Sequence, residues 1–101
     1  VNISDEASKS GVQAEQLLAL ANAVKQLPNL QLRGLMAIPA PKDDFAKQRQ
    51  AFAAVRGLLE QLNAQGFQLD TLSMGMSNDL EAAIAEGATL VRLGTALFGA
   101  R

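Results

Sequence analysis

The sequence contains no cysteine and no histidine. The lack of cysteine excludes disulfides, thiol nucleophiles and thiolate metal ligands, and the lack of histidine removes the commonest general base and metal ligand. No apolar run approaches the ~18 residues of a membrane span, and no segment has the pattern of a signal peptide. We therefore expect a soluble, cytoplasmic protein without a metal centre.

The sequence also has no excess of charge of one sign. Nine Lys and Arg residues stand against ten Asp and Glu residues, which gives a formal net charge of -1. Nucleic acids and anionic membranes are bound by basic patches, so neither is expected as a partner. Apolar residues make up 49% of the 101 residues, enough for the core of one domain.

Short apolar strands alternate with helices along the chain. Strands are predicted up to Ile3 and over residues 32–38, 69–74 and 89–93, and helices over residues 14–26, 43–65, 78–86 and 95–98. This alternation predicts parallel βα units and an α/β fold. Helical spacing predicts two buried stripes, formed by Leu17, Leu20, Ala21 and Val24 in the first helix and by Phe45, Phe52, Val55, Leu59 and Leu62 in the second.

Two successive units near the end of the sequence have the pattern of phosphate cups. In each, a strand runs into a glycine and then a hydroxyl residue, Gly75 with Ser77 and Gly94 with Thr95. Glycine lets the backbone approach an anion, and the first N–H groups of a helix lack internal partners. The alternative is that Ser77 and Thr95 are ordinary helix caps. In a (β/α)8 barrel, the loops after strands seven and eight often share one phosphate site.

The predicted strands number half of those in a (β/α)8 barrel, which needs eight strands and ~250 residues. Half a barrel exposes two strand edges and the inner face of its sheet. The sequence also begins with Val1 rather than Met, within a predicted strand. We therefore expect a fragment that self-associates, closes on a missing half-barrel or aggregates.

Four separate segments resemble one protein family in register and in order. They are residues 1–11, 33–39, 73–77 and 91–99. On these segments the chain resembles the C-terminal half of the pyridoxal phosphate homeostasis proteins, single-domain relatives of the alanine racemase barrel. The resemblance implies that residues 1–101 form one segment of a fold-type-III barrel. It also implies a protein that binds, buffers and delivers pyridoxal 5′-phosphate (PLP) without an established catalytic turnover.

The resemblance assigns phosphate contacts to one group of residues. Ser77, Gly94 and Thr95 match phosphate-binding positions of the family. Gly75 and Met74 precede Ser77 in the same motif and are included in the predicted cofactor site. Met74, with Met76, also has the strand-end position of a core residue.

Arg92 has a different predicted role. It lies within an apolar strand, where a charge must be paired. Its partner is either an acidic residue or, as the resemblance implies, the pyridine nitrogen of PLP. Because arginine keeps its proton, that nitrogen would stay unprotonated, which disfavours carbanion chemistry.

No lysine of the chain matches the family's Schiff-base lysine, which lies in the N-terminal part of the family's sequence. Lys9 follows the first predicted strand and is the candidate for secondary capture of PLP. Binding by this chain alone is therefore expected to be weak or noncovalent.

Two other functions stay open. A PLP-dependent racemase or decarboxylase of the same fold type would need a general base and usually a second domain. An excised or designed half-barrel would have a structural role in assembly and no ligand.

Overall fold

A computed structural model of the chain describes residues 1–4 and 11–99. Within these ranges, β1 (Gly34–Met36) and β2 (Thr71–Ser73) form a two-stranded parallel sheet. A 3₁₀ turn at Ala14–Gln16 precedes the helices α1 (Leu17–Lys25), α2 (Phe45–Ala64), α3 (Leu80–Ala85) and α4 (Thr95–Phe98). The element order confirms the α/β class. None of these helices has the length and apolarity needed to cross a membrane.

The strand predicted over residues 89–93 is reduced to a single bridge, in which Leu90 pairs in parallel with Ser73. The side chain of Thr89 interrupts the ladder, because its Oγ1 accepts the N–H of Leu72 at 2.8 Å. A backbone carbonyl would take that position in a regular strand. The prediction of a full strand was therefore wrong, although the segment does run beside β2.

The strand predicted up to Ile3 was also wrong. The backbone nitrogen of Val1 donates to the carbonyl of Met36 at 2.7 Å, which places the segment beside β1. The N–H of Asn2 donates instead to the carbonyl of Val12, away from the sheet. Residues 3 and 4 form a turn, so the segment does not continue along β1 as a strand.

Both paired strands are shorter than predicted. Asn63 of α2 accepts the N–H of Leu69 at 2.8 Å and donates to its carbonyl at 3.0 Å. These bonds occupy the backbone that would extend β2 at its start. At the other end of the sheet, Pro39 follows β1 closely and has no N–H with which to extend the ladder.

The hydrophobic core lies between the sheet and the helices. Helix α2 packs on β1, β2 and α3, and its Phe52 and Val55 are fully buried. The predicted stripes are mostly confirmed, but Leu20 and Phe45 are 45% and 46% exposed. The buried apolar residues form one cluster: Leu17, Ala21, Leu35, Ala37, Phe52, Val55, Leu62, Phe67, Leu69, Leu72, Met74, Ala82 and Ala83.

The opposite face of the sheet is uncovered by the described residues. The strand register places Met36, Ser73 and Leu90 side by side on this face. Met36 and Leu90 are 49% and 54% exposed, and Ile38, two residues beyond Met36, is 42% exposed. An apolar sheet face of this kind is normally buried against another layer.

A buried carboxylate joins α3 to α2. Glu86, at the end of α3, accepts from Nε of Arg49 at 2.7 Å and lies 3.3 Å from a terminal nitrogen of Arg56. The Glu86 side chain is 6% exposed, whereas both arginine side chains are about half exposed. The buried carboxylate therefore needs the arginines to balance its charge, whereas the arginines can be solvated by water without it.

This asymmetry predicts unequal mutational costs. Replacing Arg49 and Arg56 together by methionine leaves the Glu86 carboxylate buried without a cation, which should cost about 3 kcal/mol or more. Glu86→Gln leaves two arginines that can still reach water, so we expect a cost of about 1 kcal/mol. Urea denaturation of both variants measures the difference, and equal costs would contradict this description of the cluster.

Candidate functional site

A cleft of about 660 Å³ opens where the chain leaves β1, β2 and the Leu90 bridge. Its walls are residues 37–39 and Pro41 after β1, residues 75–79 after β2, and residues 94–95 and 98–99 beyond the bridge. The carboxyl ends of parallel strands are the usual ligand-binding edge of α/β folds. The volume is within the range of small-molecule sites, about 300–1,000 Å³.

Gly75 is required by the packing of the chain itself. Its φ of +105° is a backbone conformation that favours glycine. A Cβ at this position would lie 2.6 Å from Cβ of Ala83 and 3.3 Å from a methyl carbon of Val91. Gly75 therefore lets α3 approach the end of β2, and its presence is explained without a ligand.

The residues after Gly75 form a turn that Asp79 holds. Its Oδ1 accepts the N–H of Met76 at 2.7 Å, and its own N–H donates to the Met76 carbonyl at 3.2 Å. This turn delays the start of α3 to Leu80, with Asp79 at the N-cap position. The prediction that Ser77 caps a helix beginning at residue 78 was therefore wrong. Ser77 lies within the turn and lines the cleft.

Gly94, rather than Thr95, is the N-cap of α4. Its carbonyl accepts the N–H groups of Leu97 and Phe98 at 3.0 and 2.8 Å, and Thr95 is the first helical residue. The prediction that Thr95 caps this helix was wrong. A Cβ at Gly94 would meet nothing within 4 Å, and its φ of −116° suits any residue. Unlike Gly75, Gly94 is not required by the packing of the described residues.

Arg92 lies beside the cleft with one of its donors unpartnered. A terminal nitrogen donates to the carbonyl of Ala37 at 3.2 Å. Its Nε is buried and has no hydrogen-bond partner among the described residues. No carboxylate in residues 1–4 and 11–99 forms an ion pair with it, so the ion-pair alternative does not hold there. A buried donor of this kind calls for an acceptor.

The remaining predicted residues have different positions. Met74 is fully buried in the core and does not line the cleft. Met76, expected in the core, is instead 41% exposed and lines the cleft. Lys9 lies outside the described residues, so its predicted role stays a prediction.

Gln48 joins two walls of the cleft and was not singled out from the sequence. Its Nε2 donates to the carbonyl of Lys42 at 2.8 Å and lies 3.4 Å from the carbonyl of Asn78. Gln48 thus links the loop after β1 to the turn after β2. A glutamine in a long amphipathic helix is also typical of a solvated face, so no sequence pattern distinguishes it.

The whole chain matches one protein-family model. Residues 1–101 match the description "Alanine racemase, N-terminal domain". The chain belongs to this family. The family predicted from the four resembling segments is thereby confirmed.

Individual relatives and solved structures give closer comparisons. The pyridoxal phosphate homeostasis protein of Pseudomonas aeruginosa is 69% identical over 100% of this chain and 43% of that protein. The structure of PipY from Synechococcus elongatus without PLP superposes with a TM-score of 0.88 at 39% identity, over 98% of this chain and 47% of that chain. The structure of PipY with PLP bound superposes with a TM-score of 0.80 at 39% identity, over 91% of this chain and 44% of that chain. The chain thus spans less than half the length of these relatives.

Proposed function

We propose that this chain forms the phosphate-binding part of a PLP-binding (β/α)8 barrel, within a longer protein that buffers and delivers the cofactor. The cleft carries this proposal, because it gathers Gly75, Ser77, Gly94 and Thr95 at one edge of the sheet. The name of the Pseudomonas relative and the PLP bound to PipY support the choice of ligand.

The proposed phosphate contacts come from neutral groups. The hydroxyls of Ser77 and Thr95 and the backbone N–H groups of residues 94–95 would donate to the phosphate oxygens. Gly94 has open space around it and brings no side chain into the cleft, which suits a close approach of an anion to the backbone. Gly75 acts indirectly, by allowing the turn that contains Ser77.

Arg92 is the proposed contact to the pyridine ring. Its buried Nε has no hydrogen-bond partner among the described residues, which suits an acceptor supplied by a ligand. In PLP enzymes the cofactor supplies an electron sink, and this works best with a protonated ring nitrogen. A permanently protonated guanidinium donates to that nitrogen and keeps it unprotonated. This suits a carrier or a limited racemase, and we propose a role without turnover.

The uncovered apolar face of the sheet supports the proposal that the chain is part of a barrel. Met36, Ile38 and Leu90 would point into a barrel and be covered by its other half. We propose that the remainder of the longer protein provides this cover and the Schiff-base lysine, and that the chain alone binds PLP weakly or noncovalently. Light scattering on the chain alone tests this part. A self-associating species agrees with the proposal, and a monomer that melts cooperatively contradicts it.

The ring contact is tested by PLP titration of the longer protein. We expect Arg92→Met to weaken PLP binding about tenfold or more, the loss of a hydrogen bond from a charged donor. Inorganic phosphate should displace PLP from the unsubstituted protein and should bind the variant normally, because the phosphate contacts remain. The absorbance of bound PLP reports the change at the ring. Unchanged PLP affinity in Arg92→Met would contradict the proposed contact.

Arg33→Met is the matched control. Arg33 lies at the other end of β1, where it binds Asp70 at 2.7 Å, and both side chains are 60% exposed. Its hydrogen bond holds the pKa of Asp70 below the usual value. Because this pair lies away from the cleft, its loss should leave PLP affinity unchanged.

A further inference from the structure

The cleft has one ionisable side chain among its described lining residues, and that side chain is acidic. Asp79 lines the wall formed after β2. Within the part of the chain that the structure describes, no Lys or Arg forms an ion pair with it. A carboxylate with no ion-pair partner among the described residues therefore faces a cleft that we propose to bind a phosphate.

Asp79 has two roles that a substitution can separate, as a hydrogen-bond acceptor and as a negative charge. Its oxygen holds the turn by accepting the N–H of Met76 at 2.7 Å. A neutral amide oxygen can accept the same hydrogen bond, so the turn does not need the charge. The charge strengthens this hydrogen bond and also acts through space, where it opposes the approach of an anion.

We propose that the negative charge of Asp79 limits the affinity of the cleft for phosphorylated ligands, so that the cofactor is released as readily as delivery requires. This inference rests on the proposed function. The carboxylate lowers the affinity without removing a donor from the site. It therefore sets how tightly the phosphate is held while leaving the ring contact at Arg92 intact.

The test is Asp79→Asn in the longer protein. The asparagine oxygen keeps the hydrogen bond to Met76, and the charge is lost. We expect PLP and inorganic phosphate each to bind about tenfold more tightly, as for removal of one unit charge near a dianion. Pyridoxal, which has no phosphate, should bind as it does to the unsubstituted protein. The gain for PLP should shrink as salt is raised.

Two further variants make the result specific. Asp70→Asn removes the same charge at the far end of the strands and should leave PLP affinity unchanged. Asp79→Ala removes both charge and acceptor, so the turn loosens and the gain should be smaller than in Asp79→Asn. Unchanged or weaker PLP binding by Asp79→Asn would overturn the inference, as would an equal gain for pyridoxal. Absence of PLP binding by the unsubstituted protein would overturn the proposed function itself, and this inference with it.

Discussion

Gly34→Ala should destabilise the protein by about 3 kcal/mol or more, the largest loss expected from any single substitution considered for this chain. Gly34 pairs with Thr71 at the start of the parallel sheet. A Cβ at Gly34 would overlap the carbonyl oxygen of Thr71, which is backbone and cannot rotate away. The two strands must therefore separate to admit a methyl group. Urea denaturation followed by circular dichroism measures the loss.

Gly57→Ala is the matched control for this prediction. Gly57 lies inside α2, and a Cβ there would meet nothing within 4 Å. The same substitution should stabilise the protein by about 1 kcal/mol, because alanine is the better helix former. The same substitution of glycine by alanine is thus expected to lower the stability at position 34 and to raise it at position 57. A Gly34→Ala protein as stable as the unsubstituted one would show that β1 and β2 are not paired in this register.

Gly94→Ala should weaken PLP binding about tenfold to a hundredfold, the equivalent of losing one hydrogen bond to a charged group. The backbone conformation of Gly94 suits alanine, and the space around it is open within the described residues. The added methyl group therefore obstructs only a ligand that approaches the backbone. Titration with PLP measures the affinity, and the melting temperature of the free protein should stay unchanged.

Measuring both PLP affinity and the melting temperature distinguishes a binding defect from a folding defect. Gly75→Ala cannot do so, because a Cβ at Gly75 would collide with Ala83 and lower stability as well. Gly57→Ala again serves as the control, with PLP affinity unchanged. If Gly94→Ala bound PLP as tightly as the unsubstituted protein, the phosphate would have to lie elsewhere in the cleft.

The helices were predictable because their signals are local. Helix α2 was predicted over residues 43–65 and spans Phe45–Ala64. The side chain of Asp44 accepts the N–H of Ala46 at 3.0 Å, which fixes the helix start as expected of an N-cap aspartate. Strand lengths were less predictable, because the side chains of Asn63 and Thr89 bond to the backbone of other segments. Such side chains interrupt a ladder without changing the apolar pattern of the strand.

The location of the candidate site was predictable for a similar reason. Parallel strands end at the same edge of the sheet, so residues following β2 and the Leu90 bridge had to meet there. The capping roles of Ser77 and Thr95 were mistaken, because Asp79 and Gly94 occupy the N-cap positions. Spacing alone does not show which of two nearby residues takes the N-cap position.

The most direct test of the proposed site is amide hydrogen exchange of the longer protein with and without PLP. If the cleft holds the phosphate, PLP should slow exchange at residues 77–79 and 94–95, and excess inorganic phosphate should reproduce that protection. Exchange at residues 57–61 of α2, away from the cleft, should not change. Bound PLP that protects other segments and leaves residues 77–79 and 94–95 unaffected would contradict the assignment of the phosphate site to this cleft.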